Sequence, residues 1–203
     1  MVSAPVTEAL RVSSEYANKL DDLVAGPGGF SIRQESDWML ASYWYLNATL
    51  HTSILTLFQA NLPAGGFALL RPVVENLFRV HLVVMGKPDV RQKLRSDKFR
   101  LSFFRDTQKI DDHFDLGGEF KSLVDRMVEF LHSLTHLGMQ QVRRQFRGSN
   151  LEANYPENEI LAVISMSTVT KFMVTSRVIE RFQSDAELQV VLALWREFTS
   201  RQQ

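Results

Sequence analysis

GGFALLRPVVENLFRVHLVVM, residues 65–85, decides the fold class. Read at 3.6 residues per turn, its apolar residues fall on every side: Phe67, Leu69, Leu70, Val73, Val74, Leu77, Phe78, Val80 and Leu82 to Val84. A helix apolar all round belongs at the centre of a helical protein. Pro72 lies inside it, removing one backbone donor, which predicts a kink there or a later true start.

Outward from this stretch the helical period recurs nearly everywhere and the strand period almost nowhere. The pattern predicts an all-α, single-domain bundle of about seven helices. The first runs from Pro5 to Val24 and ends at Gly26-Pro27-Gly28-Gly29. Ser31 with Gln34 reads as a capping box opening a second, unusually aromatic helix to about Asn61, with Trp38, Tyr43, Trp44, Tyr45 and Phe58. The third helix ends at Gly86. A fourth is expected from Lys87-Pro88 to about Phe114, and a fifth from Glu119 to Phe146, with an interruption near Gly138. Gly148 to Asn154 reads as a loop. Pro156 opens the sixth helix, and Ser184 with Glu187 caps the last. The expected organisation is one domain over 1–203: an N-terminal helix and turn (1–30), a core bundle (31–182) and a C-terminal helix (184–203). The helix from Ile160 to Phe182 is expected at the centre, because its 160–176 part has one charge and many β-branched residues, tolerable only where packing supplies the stability.

The 203 residues carry 45% apolar and 23% charged side chains, which is globular composition. Without cysteine, the chain has no disulfide, thiolate metal site or cysteine nucleophile. Twenty-three basic residues balance 23 acidic ones, so no global field favours nucleic acid or membrane. No basic segment followed by an apolar stretch opens the sequence, and the expected compartment is the cytosol. The most apolar window, Ile160 to Ser176, contains Lys171 and six Ser or Thr, which suits a buried helix better than a membrane span. Asn47-Ala48-Thr49 is read as a chance sequon. No glycine-rich phosphate loop or serine elbow occurs, and no cofactor is expected.

Charges supply the candidate sites. Arg71, Glu75 and Arg79 stand at i, i+4 and i+8 in the apolar third helix. Buried charges must pair or face a polar pocket. The set is either an intrahelical salt bridge or a cleft with Glu75 between two arginines. His132 and His136 have chelating spacing, and Asp111, Asp112 and His113 could supplement them, yet the metalloprotease pattern is absent and no metal is expected. Beyond His136, Gln140, Arg143, Arg144 and Arg147 follow near one helix face, either as a solvated stripe or as a grip on a phosphate backbone. Residues 87–109 are also basic, with eight Lys or Arg against three acids.

Three stretches together carry a family resemblance: ALLRPVVENLFRVHLV at 68–83, LHSLTHLGMQQVRRQ at 131–145 and NYPENEI at 154–160. They resemble a family of uncharacterised bacterial all-helical proteins that look like distant members of the HEPN superfamily. The resemblance spans about residues 40 to 182. It implies a helical bundle, commonly dimeric, whose relatives are metal-independent ribonucleases of defence and toxin–antitoxin systems or non-catalytic binding modules. It also implies an Arg followed four to six residues later by His, which Arg126 and His132 fit. Active members usually have a polar residue after that Arg, where this chain has Met127. In such chemistry Arg would polarise a phosphate and His would move the proton. Arg71, Glu75 and His136 match the resembled family's own motifs more closely.

Two functions are therefore expected. One is a non-catalytic dimerisation or interaction module, working as a homodimer with RNA or a protein partner. The other is a metal-independent endoribonuclease using Arg126 and His132. The aromatic residues of the second helix exceed what one core face can hide, and aromatics are favoured interface anchors.

Overall fold

The computed structural model describes residues 2–26, 30–96, 99–135, 146–147, 150–151 and 155–201. Eight helices are found among them: α1 (Ala4–Val24), α2 (Glu35–Gln59), α3 (Pro63–Val84), α4 (Pro88–Arg95), α5 (Phe103–Phe114), α6 (Glu119–Thr135), α7 (Glu157–Phe182) and α8 (Asp185–Ser200). Phe146–Arg147 and Asn150–Leu151 form a minimal antiparallel pair, with Phe146 opposite Leu151. All other regular structure among the described residues is helical, as the periodicity predicts.

Helix α7 organises the bundle. It packs against α1, α2, α3 and α8, and α5 and α6 pack together beside α3. By length and composition α7 could cross a membrane, but here its Val163, Val174, Val178 and Ile179 join the core. Helices α2 and α3 form a tight pair joined by residues 60–62, where Asn61 takes the left-handed conformation at φ 57°. In α3, Leu70, Val73, Val74, Leu77 and Phe78 are wholly buried. Burying each such side chain contributes about 1.5–3 kcal/mol. Pro72 lies on the exposed side and α3 continues through it as one helix.

Three expected boundaries move. The second helix opens not at Ser31 but at Glu35, because the capping box is built by Gln34 and Asp37. The expected fourth helix is two, α4 and α5. Asp106 reaches back to the Ser102 amide (2.9 Å) and starts a new helix there. The expected fifth helix is described to Thr135, and Phe146, its expected end, lies instead in the short strand pair; Gly138 and its neighbours lie outside the described residues. Ser184 and Glu187 form the capping box of α8 as the spacing predicts.

Gly66 sets the approach of α2 to α3. A Cβ there would lie 2.8 Å from the buried Phe58 ring. One turn face away, a Cβ at Gly65 would meet only the flexible end of Leu57, at 3.1 Å. Gly66→Ala is therefore expected to cost about 1–3 kcal/mol through overpacking. Gly65→Ala should cost clearly less, and thermal melts of the two variants followed by circular dichroism check the order.

Candidate functional site

The residues singled out by spacing come out in different places. Arg71 and Glu75 do pair, at 2.9 Å, with side chains 50% and 30% exposed. The pair is therefore not a buried charge set. It lies on the outer side of α3, where the segment entering α5 covers it: the Arg71 guanidinium stands 6.0 Å from the Phe103 ring and the Arg79 guanidinium 5.4 Å from that of Phe99. Aromatic faces, rather than a polar pocket, meet these cations. Arg126 is exposed on α6 and donates to the Ser122 carbonyl of its own helix (3.2 Å), while Met127 is buried beside it. His132 lies on the last turn of α6, its side chain outside the described part. His136, Gln140, Arg143 and Arg144 lie outside the described residues, and Arg147 is described only as backbone of the short strand pair.

Asp111 and Asp112 each accept hydrogen bonds within the bundle. Both Asp111 oxygens accept amides that open α6, those of Phe120 (3.2 Å) and Lys121 (2.7 Å). Asp112 accepts from Gln108 (2.8 Å). An anionic cap at a helix N-terminus is favoured by the unpaired amides and the helix dipole.

The interior holds a polar network that local spacing cannot reveal. Ser13 of α1, His51 of α2, and Ser167 and Thr168 of α7 meet in a wholly buried row. Its hydrogen bonds run in one direction. Thr168 donates to the Ile164 carbonyl (2.8 Å), and the Ser13 hydroxyl meets Thr168 Oγ1 (2.6 Å). His51 Nε2 faces Ser13 (3.5 Å), and His51 Nδ1 faces the Ser167 hydroxyl (2.6 Å). A neutral imidazole with its proton on Nε2 satisfies every contact. Burial, then the Lys171 charge, pushes the His51 pKa down to about 3.

One turn on, Lys171 is completely buried and pairs with Asp21 of α1, whose side chain is 36% exposed. The ammonium also sits 4.8 Å from the Trp44 ring centre, and Trp44 donates to Thr175 Oγ1 (3.3 Å). Burial lowers the Lys171 pKa, and Asp21 opposes that shift. Asn47 is wholly buried between these groups in sequence, so the sequon cannot be a glycan acceptor in the folded chain. A second buried histidine, His81, donates from Nδ1 to the Leu77 carbonyl (2.9 Å) and accepts from Arg177 at Nε2 (3.4 Å). Burial and then the Arg177 charge push its pKa down to about 4.

These contacts fix the inner side of α2 and leave an unusual outer side. Trp38, Ser42, Tyr45, Thr49, Thr52 and Thr56 form one exposed stripe, with Trp38 60% and Tyr45 69% exposed. Trp44 is buried and Tyr43 half-buried, so only part of the expected aromatic surface is available. No Asp, Glu, Lys or Arg occurs from residue 38 to residue 70. Ordinary composition would place about eight charges in that length. Exposed helix positions usually carry charged helix formers, and Thr is a poor choice on propensity. This charge gap was legible in the sequence and is the signal that motif spacing missed.

No family model matches the chain, and no curated protein or solved structure matches it.

The network gives two checks. Both histidines are held neutral, with folded pKa values below the usual 6.5. The unfolded chain then binds more protons below that value, so stability is fully present above it and falls on acidification towards pH 4. Each histidine contributes a slope approaching about 1.4 kcal/mol per pH unit in that window. Neither imidazole should titrate between pH 5.5 and 8 by NMR. Asp21→Asn, which leaves the Lys171 ammonium buried without its counter-charge, is expected to destabilise by about 3 kcal/mol, and Lys171→Met by less. Urea denaturation of the two variants checks that order.

Proposed function

We propose that the protein is a non-catalytic dimerisation and interaction module, a HEPN-like helical bundle working in the cytosol as part of a defence or toxin–antitoxin system. The observation that supports it is the uncharged outer stripe of α2. A two-fold interface places the same patch on both subunits, so a charge in it either comes near its own copy or must find an opposite charge elsewhere in the same patch. A stripe without charge is free of that conflict.

The order of residues along the stripe favours such a pairing. Its members are symmetric about position 47: Trp38 with Thr56, Ser42 with Thr52, Tyr45 with Thr49. Two α2 helices crossing antiparallel at that point set each aromatic ring against a small threonine of the other copy. Large-against-small pairing is what close helix packing needs. From Trp38 to Thr56 the stripe is about 27 Å long. It forms the centre of the contact, and neighbouring exposed side chains such as Leu46 and Leu62 extend it towards the roughly 800 Å² per partner of a stable interface.

The alternative function, a metal-independent endoribonuclease, draws on the exposure of Arg126. The buried Met127 beside it is unlike the polar neighbour of the active enzymes it resembles.

Sedimentation at tens of micromolar should give a dimer mass for the wild type and a monomer for Tyr45→Glu with Thr49→Glu, both with unchanged helical circular dichroism. A monomeric wild type would contradict the proposal. Single-stranded and structured RNA incubated with the protein in EDTA should remain intact. Cleavage that is lost in Arg126→Ala would favour the ribonuclease instead.

A further inference from the structure

A cleft of about 410 Å³ opens where α4 and the start of α5 meet the end of α3. Its apolar floor is Leu82, Val90 and Phe99. Among the described residues four cations line it, Lys93, Arg100, Arg105 and Lys109, against two carboxylates, Asp89 and Asp106. The chain as a whole is neutral, so this excess of positive charge is local.

The two described carboxylates are fewer than the cations they face. Asp106 is almost fully buried, and one of its oxygens is taken by the Ser102 amide (2.9 Å). Its other oxygen faces both Lys109 (3.3 Å) and Arg105 (3.5 Å). One anchored acid therefore holds two cations side by side. Asp89 reaches Lys93 only at 3.9 Å, with both side chains about two-thirds exposed, a loose pair. Phe99 is held from one side by Arg79. The size falls within the range of small-molecule sites, which combine an apolar lining with a few converging polar groups.

We propose that this cleft binds a small organic anion, a phosphate monoester carried on an apolar or aromatic body. The anionic head meets the cations above Asp106, and the body lies on the Leu82, Val90 and Phe99 floor. Neither half suffices alone. Inorganic phosphate gains the charge without the floor, and a neutral aromatic gains the floor without the charge. The site lies on α3, α4, α5 and the segment that joins α4 to α5, and involves no residue of the α2 stripe, so its occupancy is independent of dimerisation.

Isothermal titration with phenyl phosphate, inorganic phosphate and phenol tests it. Phenyl phosphate is expected to bind at least about tenfold more tightly than inorganic phosphate, and phenol not at all. Charge-assisted hydrogen bonds are worth enough that Lys93→Ala with Arg100→Ala should lose at least about tenfold in phenyl phosphate affinity. Lys109→Ala, made separately, should also weaken it, and Arg11→Ala on α1 should not. Melting curves confirm that each variant is folded. Equal binding of phenyl and inorganic phosphate would overturn the proposal in favour of non-specific anion attraction. Absence of binding, or affinity unchanged in both cleft variants, would overturn it outright.

Discussion

The buried ammonium of Lys171 is the constraint around which the bundle is arranged. It sits at the centre of α7 with no exposed surface, and its charge is met by Asp21 and the face of Trp44. An uncompensated buried charge costs several kcal/mol, so α1, α2 and α7 must come together in one register. The His51 row repeats the requirement one turn away, since each hydroxyl has a partner on another helix. Apolar packing alone tolerates sliding. A directional polar row between three helices does not, and it fixes the rotation of α2.

That rotation determines what α2 presents outward. With Trp44, Asn47 and His51 turned into the bundle, Trp38, Tyr45 and the threonines face away from it. The inner polar row and the outer uncharged stripe are thus two sides of one helix, set by one arrangement. The inside of this helix is more polar than usual and its outside less charged, a weakening of the common amphipathic pattern. The inner side holds α2 in place, and the uncharged outer side with its two exposed aromatic rings is the feature on which the proposal of an assembly module rests.

Much of the fold was legible in the sequence. The all-round apolar pattern of α3, the β-branched α7 and the Ser184–Glu187 cap all point to elements that form. The break between α4 and α5 was not legible, because residues 96–102 contain no Gly or Pro and the new helix depends on Asp106 reaching its own N-terminus. Ser31 misled because Gln34 and Asp37 cap more effectively. The Arg71–Glu75 pair was found by spacing, but its exposure depends on how α5 is placed, which spacing does not contain. Ser13 and Thr168 are 155 residues apart, so no local pattern could join them to His51. The charge gap from 38 to 70 was present all along, as composition within a window rather than as a motif.

The chain has no cysteine, so a single one can be placed and labelled without interference. Ala48→Cys carrying a nitroxide, beside the stripe rather than in it, measured by pulsed dipolar spectroscopy at tens of micromolar, reports the separation of the two copies of α2 directly. The antiparallel pairing predicts a short, well-defined distance at this position near the crossing, and a longer one for a label at Gln59. The absence of any dipolar coupling at both positions, or a shorter distance at Gln59 than at Ala48, would contradict it.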